Sequence, residues 1–503
     1  MTRLVNSMTF FSLQALAPLT LIALLASPSA LWSAPEASPE LAGYNELISE
    51  EWMNILFNNQ KMGFSYQKIE KGGGGYRITD RAVIKMKIMD ISQDMSFSNT
   101  TYLSGSKKLV KFIYLQTIQS QRQRTTGVVT NGKLKLAITG AGGTSYKTVK
   151  IEPDTYFGNS IGFALSDKLK VGFKVTVPIF ITALRATDNL TFKVIGTKKM
   201  TVDQKLVDVY IVESSIQGVK TRSYVTKSGV TIREESFMNF VSVRVSESEA
   251  LKFQTAYVPI TSLITFSLIT PDKPIENPAR IKTLKLSIGG LKNPGLLPND
   301  YRQSVGKPER KMDKSRRRSF TAPVTIKKKT PEKFLSIVQA SSAKPENLKP
   351  SPEIQSDNKM IISVARRIIG GEKDAWQAAR KINGWVYKNV EKKLVDSFTA
   401  IDVLLSKQGE CQSHTNLFTA FARSVGVPAR VASGLVYSKK NEGFLYHAWP
   451  EVYVGEWVAM DPTLGQDVAD ATHIKLVGGE IENQIQLIQY IGRISITVDS
   501  ISE

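Results

Sequence analysis

Gly409-Glu410-Cys411-Gln412-Ser413-His414-Thr415-Asn416-Leu417-Phe418-Thr419-Ala420-Phe421-Ala422-Arg423-Ser424-Val425-Gly426-Val427-Pro428-Ala429-Arg430 is the stretch from which the rest of the chain is read. Leu417, Phe418, Phe421, Ala422 and Val425 form an apolar stripe at helical spacing. Gly426 suits the position just past a helix end, and Pro428 prevents continuation. Cys411 therefore lies at or within a turn of a helix N-terminus, where orphan amide donors and the positive dipole end favour a thiolate. Gly409 lets the preceding backbone turn tightly and leaves the sulfur approachable. The Cys411 N–H is a natural donor to an oxyanion. Glu410 opposes this: its charge disfavours a thiolate unless it faces solvent or a cation. Cys411 is the only cysteine of 503 residues, so it forms no internal disulfide, and packing or chemistry is its reason to exist.

Downstream, three β-like runs follow: Arg430 to Tyr437, Phe444 to Val454, and Trp457 to Asp461. The last two form a hairpin near Gly455-Glu456, which carries His447 and Asp461. Facing residues of an antiparallel pair keep a constant index sum, so parity decides which side chains share a face. A two-residue turn at Gly455-Glu456 separates His447 from Asp461. A three-residue loop at Val454-Gly455-Glu456, or a bulge, brings them together. Pro450 is a strand breaker close to His447. His414, three residues after Cys411 on the same helix, is the rival base. His473 reads as structural, as does Glu451. Trp385 and Trp449 read as core, with an indole N–H that could assist an oxyanion. Three histidines and one cysteine do not suggest zinc, and no cofactor is expected.

Upstream, 503 residues exceed one core and imply several domains. The 42% hydrophobic and 22% charged fractions are those of globular proteins and exclude wholesale disorder. Arg3, the uncharged run Phe10 to Ala26 and small residues ending at Ala34 read as an export signal, or as an uncleaved anchor. From 40 to 255 short runs rich in β-branched and aromatic residues are split by hairpin signals at Gly72 to Gly75, Asn131-Gly132 and Ser228-Gly229. The expectation is an antiparallel β domain that binds or positions something, with no chemistry of its own legible. Residues 256–350 read as a β-like segment followed by a basic, proline-containing linker. Twelve Lys/Arg against three Asp/Glu lie between Arg302 and Lys333. Net charge is +21, and such a patch suits an anionic envelope surface; without interleaved aromatics it does not suggest nucleic acid. Helical spacing then returns at Ile361, Ala365, Ile368 and Ile369, from Ala375 to Val386, and from Ser397 to Leu405.

Gly409-Glu410-Cys411, Phe421-Ala422-Arg423, Gly426-Val427-Pro428-Ala429-Arg430, His447-Ala448-Trp449, Glu451-Val452-Tyr453 and Asp461-Pro462-Thr463 together resemble the transglutaminase-like superfamily, in particular its bacterial exported members. The resemblance covers residues 360–480. It implies a papain-like α+β core over 351–503, following the all-β domain. It also implies Cys411 as nucleophile, His447 as general base and Asp461 as the group orienting the imidazole. Many relatives have Asp in place of Glu410, Val in place of Pro450 and Ala in place of Thr415; no triad member is lost. The function implied is an exported, periplasmic or envelope cysteine peptidase or amidase acting on peptide or protein substrate. Protein cross-linking, or a non-catalytic assembly protein keeping the fold, are the alternatives.

Overall fold

The structure is a computed structural model that describes residues 43–503 apart from 89–90, 120, 203, 237–238, 253–254, 258–267, 313–317 and 394–398. The export signal expected over 1–34 lies outside the described residues, as do Arg316 and Arg317 of the basic segment. Among the described residues no helix is long and apolar enough to cross a membrane. The described residues fall into two compact units, one up to Tyr257 and one from Leu268.

The first unit is an antiparallel sheet. Eight strands between Tyr44 and Lys150 each pair with the next, and six between Lys174 and Val245 do the same. Phe240–Val245 pairs with Tyr44–Phe57, joining the two meanders. The turns follow the sequence signals where two residues suffice. Gly73 and Gly74 both take positive φ (+54° and +76°), as do Asn131 and Gly132 (+51° and +69°), the conformation that fits tight hairpins to twisted strands. Ser228-Gly229 instead sits in a four-residue loop between Val219–Thr226 and Thr231–Glu235. So long a sheet curls rather than staying open. The Phe112 ring, on the fourth strand from one end of the order, lies 5.0 Å from Phe157 and 5.7 Å from Phe180, on the last two strands at the other end. Gly158–Lys168, three short helical turns, packs Phe163 on Tyr76 at 5.0 Å.

The described part of the second unit has two larger sheets, a two-stranded pairing of Glu391–Lys392 with Gln408–Gly409, and a helical layer. Trp457–Ala459, Gly443–Tyr453, Ala429–Ser438 and Ile474–Gly478 lie side by side in that order. The helix Cys411–Ser424 packs between this sheet and the helices Lys359–Ile369, Ala375–Asn389 and Ala400–Ser406. Ile361, Ala365, Ile382, Phe418, Phe421 and Val452, all fully buried, form the shared core. This is an all-β region followed by a domain that mixes helices with an antiparallel sheet, the α+β arrangement that the sequence implies.

In the interval 256–350 the β-like stretch is a strand, Thr283–Leu291, while the basic segment after it departs from its reading as a linker. Thr283–Leu291 pairs with Arg318–Lys327 and with Ser495–Ser502, while Gln303–Val305 and Glu309–Met312 add to the other edge of Arg318–Lys327. Leu284, Leu286, Ile288, Ala322, Val324 and Ile326 alternate into a buried face. The outward positions of Arg318–Lys327 hold Thr321, Pro323, Thr325 and Lys327, so its period-two pattern is short, contains a proline and is flanked by the charge runs.

Candidate active site

The helix that carries Cys411 begins at Cys411 itself, with Glu410 as the residue before the first turn and no side-chain cap. It ends as the sequence implies. Gly426 has φ +90°, its N–H donates to the Arg423 carbonyl at 3.1 Å, and the Val427 N–H donates to Ala422 at 2.9 Å. Those two bonds satisfy carbonyls that a helix end otherwise orphans. Gly409 matters for a different reason from the one expected. Its φ is not positive; instead a Cβ there would stand 2.3 Å from Ser413 Cβ on the first helical turn. Gly409→Ala is expected to displace that turn, costing roughly 1–3 kcal/mol in urea unfolding and slowing any Cys411-dependent reaction.

The hairpin loop is three residues long. Tyr453 faces Trp457, Val452 faces Val458 and Glu451 faces Ala459, a constant and even index sum. Gly455, at φ +119°, supplies the loop's left-handed position. His447 and Asp461 therefore share a face, and His447 Nε2 lies 2.7 Å from Asp461 Oδ2. Pro450 does not disrupt the strand. Its carbonyl accepts from Met460 N–H at 3.0 Å, so its missing N–H points to where the short Trp457–Ala459 strand has already ended.

Cys411, His447 and Asp461 are all buried, at 5%, 1% and 0% exposure. The backbone N–H groups of Ala448, the residue next to His447, and of Gln412 lie close enough to the sulfur to favour its charged form. The thiolate expectation is reversed here. Burial, with the Glu410 charge adding to it, pushes the Cys411 thiol well above its usual value, and the two N–H contacts only partly oppose this. Desolvation of an anion outweighs a helix terminus in a site this enclosed.

Asp461 does two things at once. Its Oδ1 accepts from the backbone N–H groups of Thr463 (2.7 Å) and Leu464 (2.9 Å), closing the turn that Pro462 starts. Its Oδ2 takes two imidazoles, His447 and, at 3.0 Å, His473. Burial alone would raise Asp461, but the two histidines outweigh it and hold the carboxyl well below the usual range. An ionised carboxylate only accepts hydrogen bonds, so both Nε2 atoms carry protons. The lone pair of a neutral His447 is then on Nδ1.

His473 is the residue whose importance the sequence did not reveal. Its other nitrogen, Nδ1, lies 3.2 Å from Asp470 Oδ1. Burial alone would lower it, but Asp470 and Asp461 outweigh that and hold it at about 9, while Asp470 is held at about 2. A buried imidazolium thus stands between two carboxylates. The nearby Asp470-Ala471-Thr472-His473 spacing was visible, but its contact with Asp461 was not. His447, Asp461 and His473 offer ligand atoms within 4.8 Å of one another, close enough for a cation. The imidazole–carboxylate bonds already use those atoms, so protons suffice to satisfy them.

His414, the rival base, is turned away from this chemistry. Nδ1 faces the Glu410 carbonyl at 2.8 Å and Nε2 the Val390 carbonyl at 3.3 Å, and burial lowers its pKa. Trp449 stacks beside His447 at 6.2 Å between centroids, and its buried Nε1 has no partner. Glu451 is structural: Arg430 at 2.7 Å, Lys475 at 2.8 Å and Tyr301 at 3.1 Å surround its carboxylate. Arg302, counted among the basic segment, is buried and donates to the Asp470 carbonyl at 2.6 Å. Gln303 binds the backbone of Lys475 in both directions, at 2.8 and 2.9 Å. The supposed linker thus fixes the strand next to His473.

No curated protein matches the chain significantly. Among solved structures, a candidate cysteine protease from Cytophaga hutchinsonii is similar at 18% identity, covering 44% of this chain and 85% of its own, with a TM-score of 0.28. A β-barrel-like protein of a domain of unknown function from Brucella abortus is similar at 10% identity, covering 39% and 95%, with a TM-score of 0.30. A candidate protease from Parabacteroides distasonis is similar at 10% identity, covering 77% and 70%, with a TM-score of 0.17. The sequence profile of the family described as the transglutaminase-like superfamily matches residues 362–462, an interval that contains Cys411, His447 and Asp461. The chain carries a transglutaminase-like domain of that superfamily.

Proposed function

We propose that this protein is an exported thiol-dependent hydrolase of peptide or protein amides, working through Cys411, His447 and Asp461. The observation that carries the reading is the buried His447–Asp461 bond at 2.7 Å on the hairpin whose Ala448 N–H lies close to the Cys411 sulfur. In this reading the sulfur attacks the amide carbonyl as His447 Nδ1 takes the thiol proton. The C–N bond breaks as that proton passes to the leaving amine, and the acyl group stays on sulfur as a thioester. Water, deprotonated by His447, then releases the acid and restores the thiol. Asp461 holds the imidazole tautomer and stabilises its protonated form. The Cys411 N–H, at the first position of its helix, is an oxyanion donor in this scheme.

Resolution of the thioester by an amine instead of water gives cross-linking, so the test must separate the two. Full-length protein is incubated with a peptide library, with and without added primary amine, and products are read by mass spectrometry. Hydrolysis predicts free acids with little amine incorporation; dominant amine adducts would make it a cross-linking enzyme, and no products would leave a non-catalytic binding protein. His447→Ala is expected to lower kcat by about three orders of magnitude or more. His414→Ala should act mainly through folding. Loss of turnover in a folded His414→Ala protein with His447→Ala unaffected would reverse the assignment. For the anionic envelope surface, the exposed cations among the described residues of the segment are Lys307, Arg310, Lys311, Lys327 and Lys333.

A further inference from the structure

The β unit holds a cavity of about 430 Å3 between its strands and the Gly158–Lys168 segment. Ile69, Leu190, Phe192 and Val212 from the strands, with Ile161 and Phe163 from the segment, give it apolar walls. That volume falls in the range, about 300–1,000 Å3, of small-molecule sites, which combine such walls with a few converging polar groups. Three polar side chains answer that description. Glu51 comes from the first strand and accepts from Thr231 N–H at 3.3 Å. Glu234, from Thr231–Glu235, accepts from Ser223 Oγ at 2.9 Å through Oε2, while its Oε1 is shielded from solvent and has no partner. Asn159 lines the cavity too, with both side-chain polar atoms shielded and unpartnered.

Among the described residues no lysine or arginine lines the cavity. The unmet groups are mostly acceptors, and an unpaired buried acceptor is costly. Burial pushes Glu51 and Glu234 each up to about 7; the Thr231 N–H and the Arg244 charge at Glu51, and the Ser223 hydroxyl at Glu234, only partly oppose it. An ammonium group has three donors and no acceptor, so it fits this surplus, whereas an anion meets two carboxyls with no cation among the described lining residues. We propose that this cavity binds a small amphipathic primary amine, its apolar body against the Leu190, Phe192 and Val212 walls and its ammonium group held by the Glu51 and Glu234 carboxylates. The site is independent of Cys411 and stands whether or not amide hydrolysis does.

The test is calorimetric titration of the full chain with octylammonium chloride, octanol and sodium octanoate, each kept below its aggregation concentration. Octylammonium is expected to bind saturably at one site per chain, at least about tenfold more tightly than octanol, with octanoate weaker still. Glu234→Gln, nearly isosteric, should weaken octylammonium by about tenfold and leave octanol unchanged. Val212→Trp, which fills the cavity, should abolish both. The absence of saturable octylammonium binding overturns the proposal. So does octanol or octanoate binding as tightly as the amine, or a folded Glu234→Gln protein that keeps full affinity. The three-ligand series on the unaltered protein decides the matter even where a variant does not fold.

Discussion

Cys411→Ala is expected to remove amide turnover altogether, a loss of about four to six orders of magnitude in kcat, with the protein still folded and substrate still bound. The size follows from the role: without sulfur there is no acyl acceptor, and what remains is water near a few hydrogen-bond donors. Turnover surviving in Cys411→Ala would end the thiol-enzyme reading. The state of the resting thiol is a separate question with its own measurement. Burial and Glu410 hold the proton on sulfur, so iodoacetamide labelling of the unaltered protein is expected to be slow and to rise only above the ordinary cysteine value of about 8.5. Glu410→Gln should move that midpoint downward, because it removes the second cause of the shift. Rapid labelling that plateaus below about pH 7 would mean a preformed thiolate–imidazolium pair instead. In the proposed reaction a neutral resting thiol would place the burden on His447, to take the proton as the carbon–sulfur bond forms, and on Asp461, to keep the imidazole aimed.

Replacing His473 has the next largest expected consequence. His473→Gln leaves Asp461 and Asp470 as buried carboxylates without the cation between them, and breaking a buried charge cluster in this way costs about 3–5 kcal/mol. Urea unfolding of the full chain measures it. The same residue predicts how stability depends on pH. Its folded value of about 9 lies above the roughly 6.5 of an unfolded histidine, so its stabilisation is complete below about pH 6.5 and is lost as pH rises through 9. The shift corresponds to an order of 3 kcal/mol. Asp461 and Asp470 run the other way: both are depressed, so their contribution is present above about pH 4 and is lost as acid protonates them. The variant should lack the decline between pH 6.5 and 9. A decline of equal size in His473→Gln would mean that another group carries it and that His473 is not the buried cation.

The parts of this protein that were legible in its sequence are those set by neighbours along the chain. The apolar stripe Leu417 to Val425 and its stop at Gly426 and Pro428 are local, and so the Cys411 helix ends where they say. Asn131-Gly132 makes its hairpin because two residues with positive φ are enough to reverse a twisted pair of strands. Ser228-Gly229 shows the limit, since the loop around it was drawn out to four residues by the pairing on either side. Arg302 shows another: read as part of a solvated charge run, it is buried against Asp470, because a guanidinium can be taken into a fold when a carbonyl is placed to receive it.

The sequence alone determined which chemistry is available: one thiol at a helix start, and an imidazole and a carboxylate on one hairpin, with parity leaving two arrangements open. The tertiary structure chose between them through the Val454-Gly455-Glu456 loop, which makes the index sum even and puts His447 and Asp461 on one face. It also decided the protonation states. Burial is a property of the packed molecule, and only packing could show that the helix start fails to ionise Cys411 while two carboxylates keep His473 charged. Spacing along a chain fixes which side chains can share a face, but the field around a titrating group comes from everything packed against it.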